Sequence, residues 1–419
     1  MKRIILLLSF SFSVSWMYAQ ITLEECQRKT QDNYPLVRQY GLIEKTKEYN
    51  LSNALKGNLP QFALTAKATY QSDVTELPIQ IPGVDFKGQP KDQYQVMLEL
   101  RQNLWDGGEI RSQKELVKVG SDVDREKLNV DMYALNERVN QLFFGILLLD
   151  EQLIQNQLLQ DDLTRSYEQI AAYVANGVAS QSDLDAVRVN QLDARQRRIE
   201  LSASRQAYLK MLSQLIGEEL KEDARLVKPL DSVEQAADNV IKRPELTWFD
   251  AQGNRLQTQE ESLVVRSLPR FNLFVQGAYG NPGLNMLKNE FTPFYVAGVR
   301  MSWNFGSLYT LRSDKKLIAN SRQQLQSNRD VFLFNTRLQV TQQHTAITSM
   351  RKQMQDDEEI IKLRTNIRLA AEAKVANGTL TVTEMLREIT SENMARQTKA
   401  LHEIQLLMNI YELKYTTNN

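Results

Sequence analysis

The chain has 419 residues, in which 51 Lys and Arg balance 51 Asp and Glu, and it contains two His and one Cys. A net charge of zero argues against a nucleic-acid-binding protein, and so few His and Cys exclude nearly every zinc or iron–sulfur site and any intramolecular disulfide. The length would ordinarily suggest two or three domains.

Residues 1–19 have the pattern of a secretory signal peptide. Lys2 and Arg3 precede an apolar stretch that is shorter than the roughly 20 residues of a membrane-spanning helix, and Ala19 ends an acceptable cleavage site. An N-terminal anchor helix is the less favoured alternative. Cys26 does not lie in a lipoprotein signal, and we expect it to be a small buried residue. The sequence therefore predicts an exported protein.

Four stretches show the alternation of apolar and polar residues that is typical of β-strands. They are about residues 60–71, 92–105, 269–280 and 293–305. Runs of about ten residues with one apolar face resemble the strands of a transmembrane barrel. Trp105, Trp303, Tyr70 and Tyr94 lie near strand ends, where aromatic rings anchor proteins at a membrane interface. Two amphipathic hairpins packed on soluble domains would show the same alternation.

Proline is absent from residues 91–228 and from all positions after 293, which permits very long helices in both regions. From Ile110 to Val174 nothing stops the helix, so a length of roughly 90–100 Å is expected. A heptad seam predicts that this helix packs against its neighbours as a coiled coil. The seam consists of Leu128, Met132, Leu135, Val139, Leu142, Ile146, Leu149 and Leu153.

Each long helix is predicted to end in a turn at an Asn-Gly pair, Asn176-Gly177 and Asn377-Gly378. Ser182 or Asp183 is available to cap the helix that follows the first turn, and Thr383 is available after the second. The sequence therefore predicts two long antiparallel helical hairpins, each with its tip far from the strands.

The chain is also an internal repeat. Residues 173–177 match 374–378 at four of five positions, with an offset of 201. Each copy leads to an acidic residue six positions after its Gly, Asp183 in the first and Glu384 in the second. Other matches share this offset. We therefore divide the mature chain into two repeats, each with a helix, two strands and a helical hairpin. The repeats are residues 20–230, with its hairpin at 110–216, and residues 231–419, with its hairpin at 308–415.

Four membrane strands cannot close into a barrel, because an open sheet edge in lipid leaves backbone groups unpaired. A dimer would supply eight strands, which enclose a lumen filled by side chains. A trimer would supply twelve strands, enough for an aqueous channel, and its helical hairpins could continue the wall as a helical tube. The expected fold class is therefore an α+β membrane protein that assembles from several chains.

At this point the sequence resembles the TolC-like outer-membrane efflux protein family, over about residues 20–415. The resemblance rests on the twofold repeat, on strand pairs that lead into proline-free helix pairs, and on the tip segments 176–183 and 377–384. It implies a homotrimer with a twelve-stranded β-barrel in the outer membrane and a periplasmic α-barrel. It also implies that a periplasmic adaptor protein docks at the tips and links the channel to an inner-membrane pump.

The resemblance further implies which residues carry the function. Acidic residues just after the second tip ring the closed periplasmic end in this family. Glu384 matches the first such position, Arg387 replaces the second, and Asp183 is the counterpart of Glu384 in the first repeat. Alternatively, Glu384 is a charge that stabilises the start of a helix. The residues implied to contact the adaptor are Asn176, Gly177, Val178, Ala179, Asn377, Gly378, Thr379 and Leu380.

No motif for an enzyme is present in the sequence. The phosphate-binding loop, the serine-hydrolase elbow and the zinc-protease motif are all missing. His344 and His402 fall in predicted long helices without a His or Cys partner one turn away, so we expect packing or surface roles and neither metal nor cofactor. Two functions remain: a passive export channel of an efflux or secretion system, and a periplasmic coiled-coil scaffold without a pore.

Overall fold

The computed structural model describes residues 21–74, 89–230, 240–286 and 288–419. The predicted signal peptide, residues 1–19, lies outside these residues. The elements of the described residues are α1 (Leu23–Asn33), a 3₁₀ turn (Pro35–Val37), α2 (Arg38–Lys56), β1 (Gln61–Tyr70), β2 (Asp92–Trp105), α3 (Glu109–Ala175), α4 (Gln181–Ile216), α5 (Pro244–Arg266), β3 (Arg270–Asn281), β4 (Thr292–Ser302), α6 (Gly306–Ala376) and α7 (Val382–Thr417). The predicted order of strand pairs and long helix pairs is confirmed.

The described residues form two compact units. One comprises the described residues within 1–37, 131–243 and 335–419, and the other comprises 38–130 and 244–334. The first is a bundle of helices and the second holds the four strands with their flanking helices. Each unit draws on both halves of the sequence.

The strands form one antiparallel sheet in the order β1-β2-β3-β4. Leu64 lies opposite Leu98, Leu98 opposite Gly277, and Gly277 opposite Tyr295. This register places most of the large apolar side chains of all four strands on one face, as the alternation predicted, whereas Phe274, Phe294 and Val296 lie on the opposite, polar face. Because β1 and β4 each have a single neighbour in the described chain, the sheet is open at both edges.

The apolar face of the sheet is exposed in the single chain. Phe62, Leu64, Tyr295 and Val299 are each more than 60% exposed. A β-bulge between Asn103 and Trp105 shifts the side-chain alternation of β2 by one position. The bulge turns the ring of Trp105 to the apolar face, opposite Phe271. The aromatic side chain thus joins the apolar face at the end of the strand.

The helical unit has an apolar core to which both predicted repeats contribute. Phe143 and Phe144 of α3 pack with Leu212 of α4 and Ile404 of α7 in one cluster of buried side chains. Cys26 of α1 belongs to the same cluster and is 1% exposed, so its expected burial is confirmed. This burial raises the pKa of the Cys26 thiol to about 12, which keeps the thiol protonated and unreactive.

The heptad seam of α3 is buried over most of its length. Six of its positions, from Leu128 to Ile146, are at most 7% exposed, whereas Leu149 and Leu153 are partly exposed. None of the described helices combines the length and the apolar character that crossing a membrane would require.

Two helices leave apolar residues uncovered. On α4, Val189, Leu192 and Ile199 are spaced as one helical face and are 44–62% exposed. On α6, Phe334 and Leu338 are 62% and 55% exposed. By contrast, α7 buries a leucine-rich stripe that includes Leu406, Leu407 and Leu413. The single chain therefore leaves apolar side chains of α4 and α6 in contact with water.

Candidate functional site at the helical tips

The turn between α3 and α4 is closed by a Schellman motif at Gly177. The Gly177 N–H donates to the Val174 carbonyl at 3.0 Å, and the Val178 N–H donates to the Tyr173 carbonyl at 2.8 Å. Gly177 has a φ of +73°, a left-handed conformation that L side chains avoid. The Asn176 side chain donates to the Ala172 carbonyl at 2.8 Å and satisfies a further helix-end acceptor. The sequence therefore needs Gly at this position for the chain to turn back.

The turn between α6 and α7 repeats this geometry. The Gly378 N–H donates to the Val375 carbonyl at 3.0 Å, and the Thr379 N–H donates to the Lys374 carbonyl at 2.9 Å. Gly378 has a φ of +68°, and the Asn377 side chain donates to the Ala373 carbonyl at 2.9 Å. The two Asn-Gly pairs thus form equivalent turns, as the sequence predicts.

The helices that follow the turns begin with capping boxes. The prediction of their cap residues was wrong. The N-caps are Ser180 and Thr381, whereas Ser182, Asp183 and Thr383 lie inside the helices. In a capping box the side chain of the cap residue accepts a hydrogen bond from the backbone N–H of the third helical residue, and the side chain of that third residue accepts one from the backbone N–H of the cap. The Ser-x-x-Asp and Thr-x-x-Glu spacings carry this signal, so the sequence contained the information.

The carboxylates of Asp183 and Glu384 therefore have structural partners within their own turns. The Ser180 N–H donates to Asp183 Oδ2 at 3.0 Å, and the Thr381 N–H donates to Glu384 Oε2 at 3.1 Å. The Thr381 hydroxyl donates to the same Glu384 oxygen at 2.8 Å. Glu384 therefore stabilises a helix start, as the alternative interpretation states, and it remains exposed at the tip, so the two interpretations do not exclude each other.

These hydrogen bonds keep both carboxylates ionised. The Ser180 hydroxyl and backbone N–H hold the pKa of Asp183 below its usual value. The Thr381 backbone N–H, its hydroxyl and the positive charge of Arg387 hold the pKa of Glu384 below its usual value. Glu384 and Arg387 are both exposed, and Asp183 is partly exposed. The second tip therefore presents a negative and a positive charge to solvent within one helical turn.

Both tips rest on one apolar cluster. Ile170 of α3 and Val187 of α4 pack with Val375 of α6 and Met385 of α7. Ala179 and Leu380 of the turns cover this cluster and are partly buried. Val178, in contrast, is 60% exposed. The fold thus brings the two tips together and leaves one apolar side chain at the first tip uncovered.

About three helical turns beyond the second tip lies a buried ion network that the sequence did not predict. Glu392 of α7 is 4% exposed. It accepts hydrogen bonds from Thr365 at 2.7 Å and from Arg396 at 2.6 Å, and it pairs with Arg368 of α6, which also pairs with Glu372. Burial alone would raise the pKa of Glu392, but the hydrogen bonds from Arg396, Thr365 and Arg368 outweigh it and lower the pKa. The network ties α6 to α7.

His402 has a structural partner as well. Its Nδ1 lies 2.8 Å from an oxygen of Asp357, a carboxylate that is 5% exposed. Among the described residues no cluster of three or more His, Cys, Asp or Glu side chains could hold a metal ion. The packing role expected for His402 therefore takes the form of a further polar contact between α6 and α7.

The sequence of residues 29–218 matches a family model described as outer membrane efflux protein. The resemblance to the TolC-like family is confirmed. A comparison with curated protein sequences finds no match.

Solved structures of outer-membrane channels share this fold. The outer-membrane channel OprN is 13% identical, with a TM-score of 0.67 over 94% of this chain and 89% of its own. VceC from Vibrio cholerae is 11% identical, with a TM-score of 0.65 over 94% of each chain. The open state of MtrE from Neisseria gonorrhoeae is 13% identical, with a TM-score of 0.65 over 95% of this chain and 89% of its own. At such identities the likeness establishes the TolC-like fold alone.

Proposed function

We propose that this protein is a trimeric channel of the outer membrane that passively conducts cargo out of the cell. It takes the cargo from an inner-membrane pump through a periplasmic adaptor protein, as part of an efflux or type I secretion system. No catalytic activity is part of the proposal. The observation that carries the proposal is an exposed apolar face on a sheet whose two edges are both open.

The open edges favour assembly with further strands. In lipid, each unpaired backbone group of an edge strand costs several kcal/mol, because no water is present to replace the missing partner. Pairing β4 of one chain with β1 of the next removes both edges, and three chains give twelve strands. That number encloses a water-filled lumen, whereas eight strands enclose one that side chains fill. The exposed apolar residues of α4 and α6 supply further surface for contact between chains.

Aromatic side chains at both ends of the sheet fit the two interfaces of a membrane. At one end Phe291 lies 6.5 Å from the ring of Tyr94 and 5.7 Å from that of Tyr279. At the other end the ring of Trp105 lies 5.9 Å from that of Phe271. From Tyr94 to Trp105 the strand measures roughly 36 Å at 3.3 Å per residue, or roughly 28 Å across a barrel tilted by about 40°. This height matches the apolar band of outer-membrane barrels.

The matching turns support the proposed division into two repeats, residues 20–230 and 231–419. Both hairpins end in an Asn-Gly Schellman motif followed by a capping box, at positions that differ by the same offset of 201. In a trimer the two repeats would alternate around the axis and give six tips. The proposed adaptor contacts are the tip residues 176–179 and 377–380.

Glu384 and Arg387 are proposed to line the periplasmic constriction, together with Asp183. The Glu384→Gln and Arg387→Gln variants should change the conductance and the cation preference of the reconstituted channel. Thr381→Ala is the matched control, because it weakens the same capping box but leaves the carboxylate charge in place. Unchanged conductance and cation preference in both charge variants would remove these residues from the constriction. An equal effect of Thr381→Ala would show that the cap, and not the charge, matters.

Val178 offers a test of the adaptor contact, since its side chain is 60% exposed at the tip. Val178→Glu places a charge on this apolar side chain and should reduce co-purification of the periplasmic partner without changing channel conductance. Leu42→Glu, which changes an equally exposed apolar residue on α2, a helix with no proposed contact, is the comparison variant. Equal co-purification of the partner with Val178→Glu and with the unmodified protein would contradict the proposed contact.

Disulfide trapping between the open edges tests the trimer. Thr65→Cys on β1 is combined in turn with Phe294→Cys, Val296→Cys and Gly298→Cys on β4, because these positions share one face of the sheet. Within one chain β1 and β4 are three strand spacings apart, roughly 14 Å, which is too far for a disulfide. The native Cys26 is buried and does not interfere.

At least one pair should yield cross-linked species of two and three chain masses on a non-reducing gel, and the single-Cys variants should not. Bands at one chain mass for all three pairs would refute the closed barrel. That result would favour the scaffold without a pore.

A further inference from the structure

The polar face of the sheet carries an unequal set of charges. The strand residues of this face that bear charge are Lys67, Glu99, Arg101, Arg270 and Arg300. Arg270 pairs with Glu109 at 2.7 Å, which neutralises it. The remaining side chains are three cations and one carboxylate, so this face of every chain carries a net positive charge.

The charges are concentrated around Glu99. Its carboxylate lies 3.0 Å from Arg101 and 3.8 Å from Arg300, and it accepts a hydrogen bond from Gln276 at 2.9 Å. One carboxylate thus faces two guanidinium groups and can neutralise only one of them. Arg300 is held further by the ring of Phe274, whose centroid lies 4.6 Å from the guanidinium carbon.

The cations are presented to solvent, whereas the carboxylate is not. The side chains of Arg101 and Arg300 are 52% and 46% exposed, but that of Glu99 is 14% exposed. Lys67 is exposed on the neighbouring strand. A groove beside the cluster is lined by a further cation, Lys56 of α2, together with Gln61 and Asn103. An ion that approaches this face therefore meets positive charge first.

From this arrangement we infer that the polar face of the sheet is a cationic filter that favours anions, so that the cargo includes negatively charged small molecules. The inference rests on the proposed function, in which the apolar face meets lipid and the polar face lines the lumen. Three chains would place nine solvent-facing cations, Lys67, Arg101 and Arg300 of each chain, around one aqueous path. Charges around a narrow path raise the local concentration of the opposite ion, and salt weakens the effect.

The filter differs from the tip constriction in charge and in position. At the second tip Glu384 and Arg387 balance each other, whereas the sheet carries an excess of positive charge. The two sites are separable by mutation because they share no residue.

The test is the ratio of chloride to potassium permeability, measured from the reversal potential of the purified full-length protein in a planar bilayer under a dilute KCl gradient. The double variant R101Q/R300Q should lower this ratio by at least about twofold, because two fixed cations per chain are lost. Glu99→Gln should raise the ratio, because it removes the carboxylate that faces both guanidinium groups. The R101K/R300K variant keeps the charges and should retain the ratio of the unmodified protein. Lys67→Gln removes an exposed charge on β1 and should lower the ratio in a protein that folds normally.

Currents that show the same ratio in R101Q/R300Q, Glu99→Gln and Lys67→Gln as in the unmodified protein would overturn the filter and leave the channel intact. A ratio that falls equally in R101K/R300K would also overturn it, because shape and not charge would then be responsible. A protein that carries no current in any variant would overturn the proposed channel, and the filter with it.

Discussion

Replacing Glu392 by Gln should destabilise the helical unit, because this carboxylate is the centre of the buried network between α6 and α7. In the native protein it compensates Arg368 and Arg396 and accepts a hydrogen bond from Thr365. Gln keeps the size of the side chain but removes the charge. The variant therefore leaves two guanidinium groups short of a counter-ion.

Removal of one partner of a buried ion pair typically costs about 3–5 kcal/mol. The cost here should be lower, about 2–3 kcal/mol, since Arg368 retains Glu372 and the side chain of Arg396 is 39% exposed. At about 2.1 cal/mol/K per residue, the unfolding entropy of a chain of this size is roughly 0.9 kcal/mol/K, so such a loss lowers the thermal midpoint by about 2–3 °C. Glu358→Gln is the matched control on the same hairpin. Glu358 pairs with Lys399 but is 72% exposed, so its loss should lower the midpoint by less than about 1 °C.

The assay follows the helical circular dichroism of the detergent-solubilised protein on heating. The pKa of Glu392 is lower in the folded protein than in the unfolded chain, so its charge stabilises the fold above the unfolded pKa of about 4.3. This contribution disappears as the pH falls through the folded pKa. The difference between Glu392→Gln and the unmodified protein should therefore be full at pH 7 and smaller below about pH 4.

A double variant, Glu392→Met with Arg368→Met, separates the charge from the packing. Two apolar side chains of similar size should recover at least about half of the stability lost in Glu392→Met alone. Equal midpoints for Glu392→Gln and Glu358→Gln at pH 7 would refute the reasoning. So would a double variant that is less stable than Glu392→Met.

The tips allow three further predictions. Gly378→Ala should destabilise the protein by about 1–2 kcal/mol through the positive φ alone, because an added Cβ would meet nothing within 4 Å. Gly253→Ala, in the interior of α5, should instead stabilise the protein by about 0.5–1 kcal/mol. The thermal midpoints of the two variants should therefore move in opposite directions. Ser180→Ala and Thr381→Ala should each cost about 1 kcal/mol and speed amide hydrogen exchange in the first turn of the following helix. The pKa of Glu384 is lowered in the folded protein, so its capping interaction should stabilise the helix start at neutral pH and weaken as the pH falls through that pKa. Amide hydrogen exchange at the second tip that does not depend on pH, after correction for the intrinsic exchange rate, would contradict this.

The elements of the fold were predictable because their signals are local. Alternation over ten or more residues located the strands, and the absence of proline left room for helices as long as α3 and α6. The Asn-Gly turns were predictable because few residues other than Gly tolerate a positive φ. The seam of α3 was correct where the helix is buried, from Leu128 to Ile146, but Leu149 and Leu153 are only partly covered.

The features that escaped prediction depend on register between distant segments. Glu392 and Arg368 belong to different helices, and only the packing of α6 on α7 brings them together. The cluster at Glu99 likewise requires the pairing of β2 with β3 and of β3 with β4, which places Gln276 and Arg300 beside it. The N-caps Ser180 and Thr381 are a different case, because their capping-box spacing is local and could have been recognised.

Single-channel recording in a planar lipid bilayer tests the channel most directly. Purified full-length protein should insert and produce uniform current steps. These steps should persist after Thr65→Cys is cross-linked to the β4 cysteine that pairs with it, because the cross-link closes the wall and leaves the lumen free. The contradicting result has two parts: correctly folded protein produces no current in the bilayer, and its cysteine variants give only bands of one chain mass. Together these would contradict the proposal that several copies share one wall around an aqueous path.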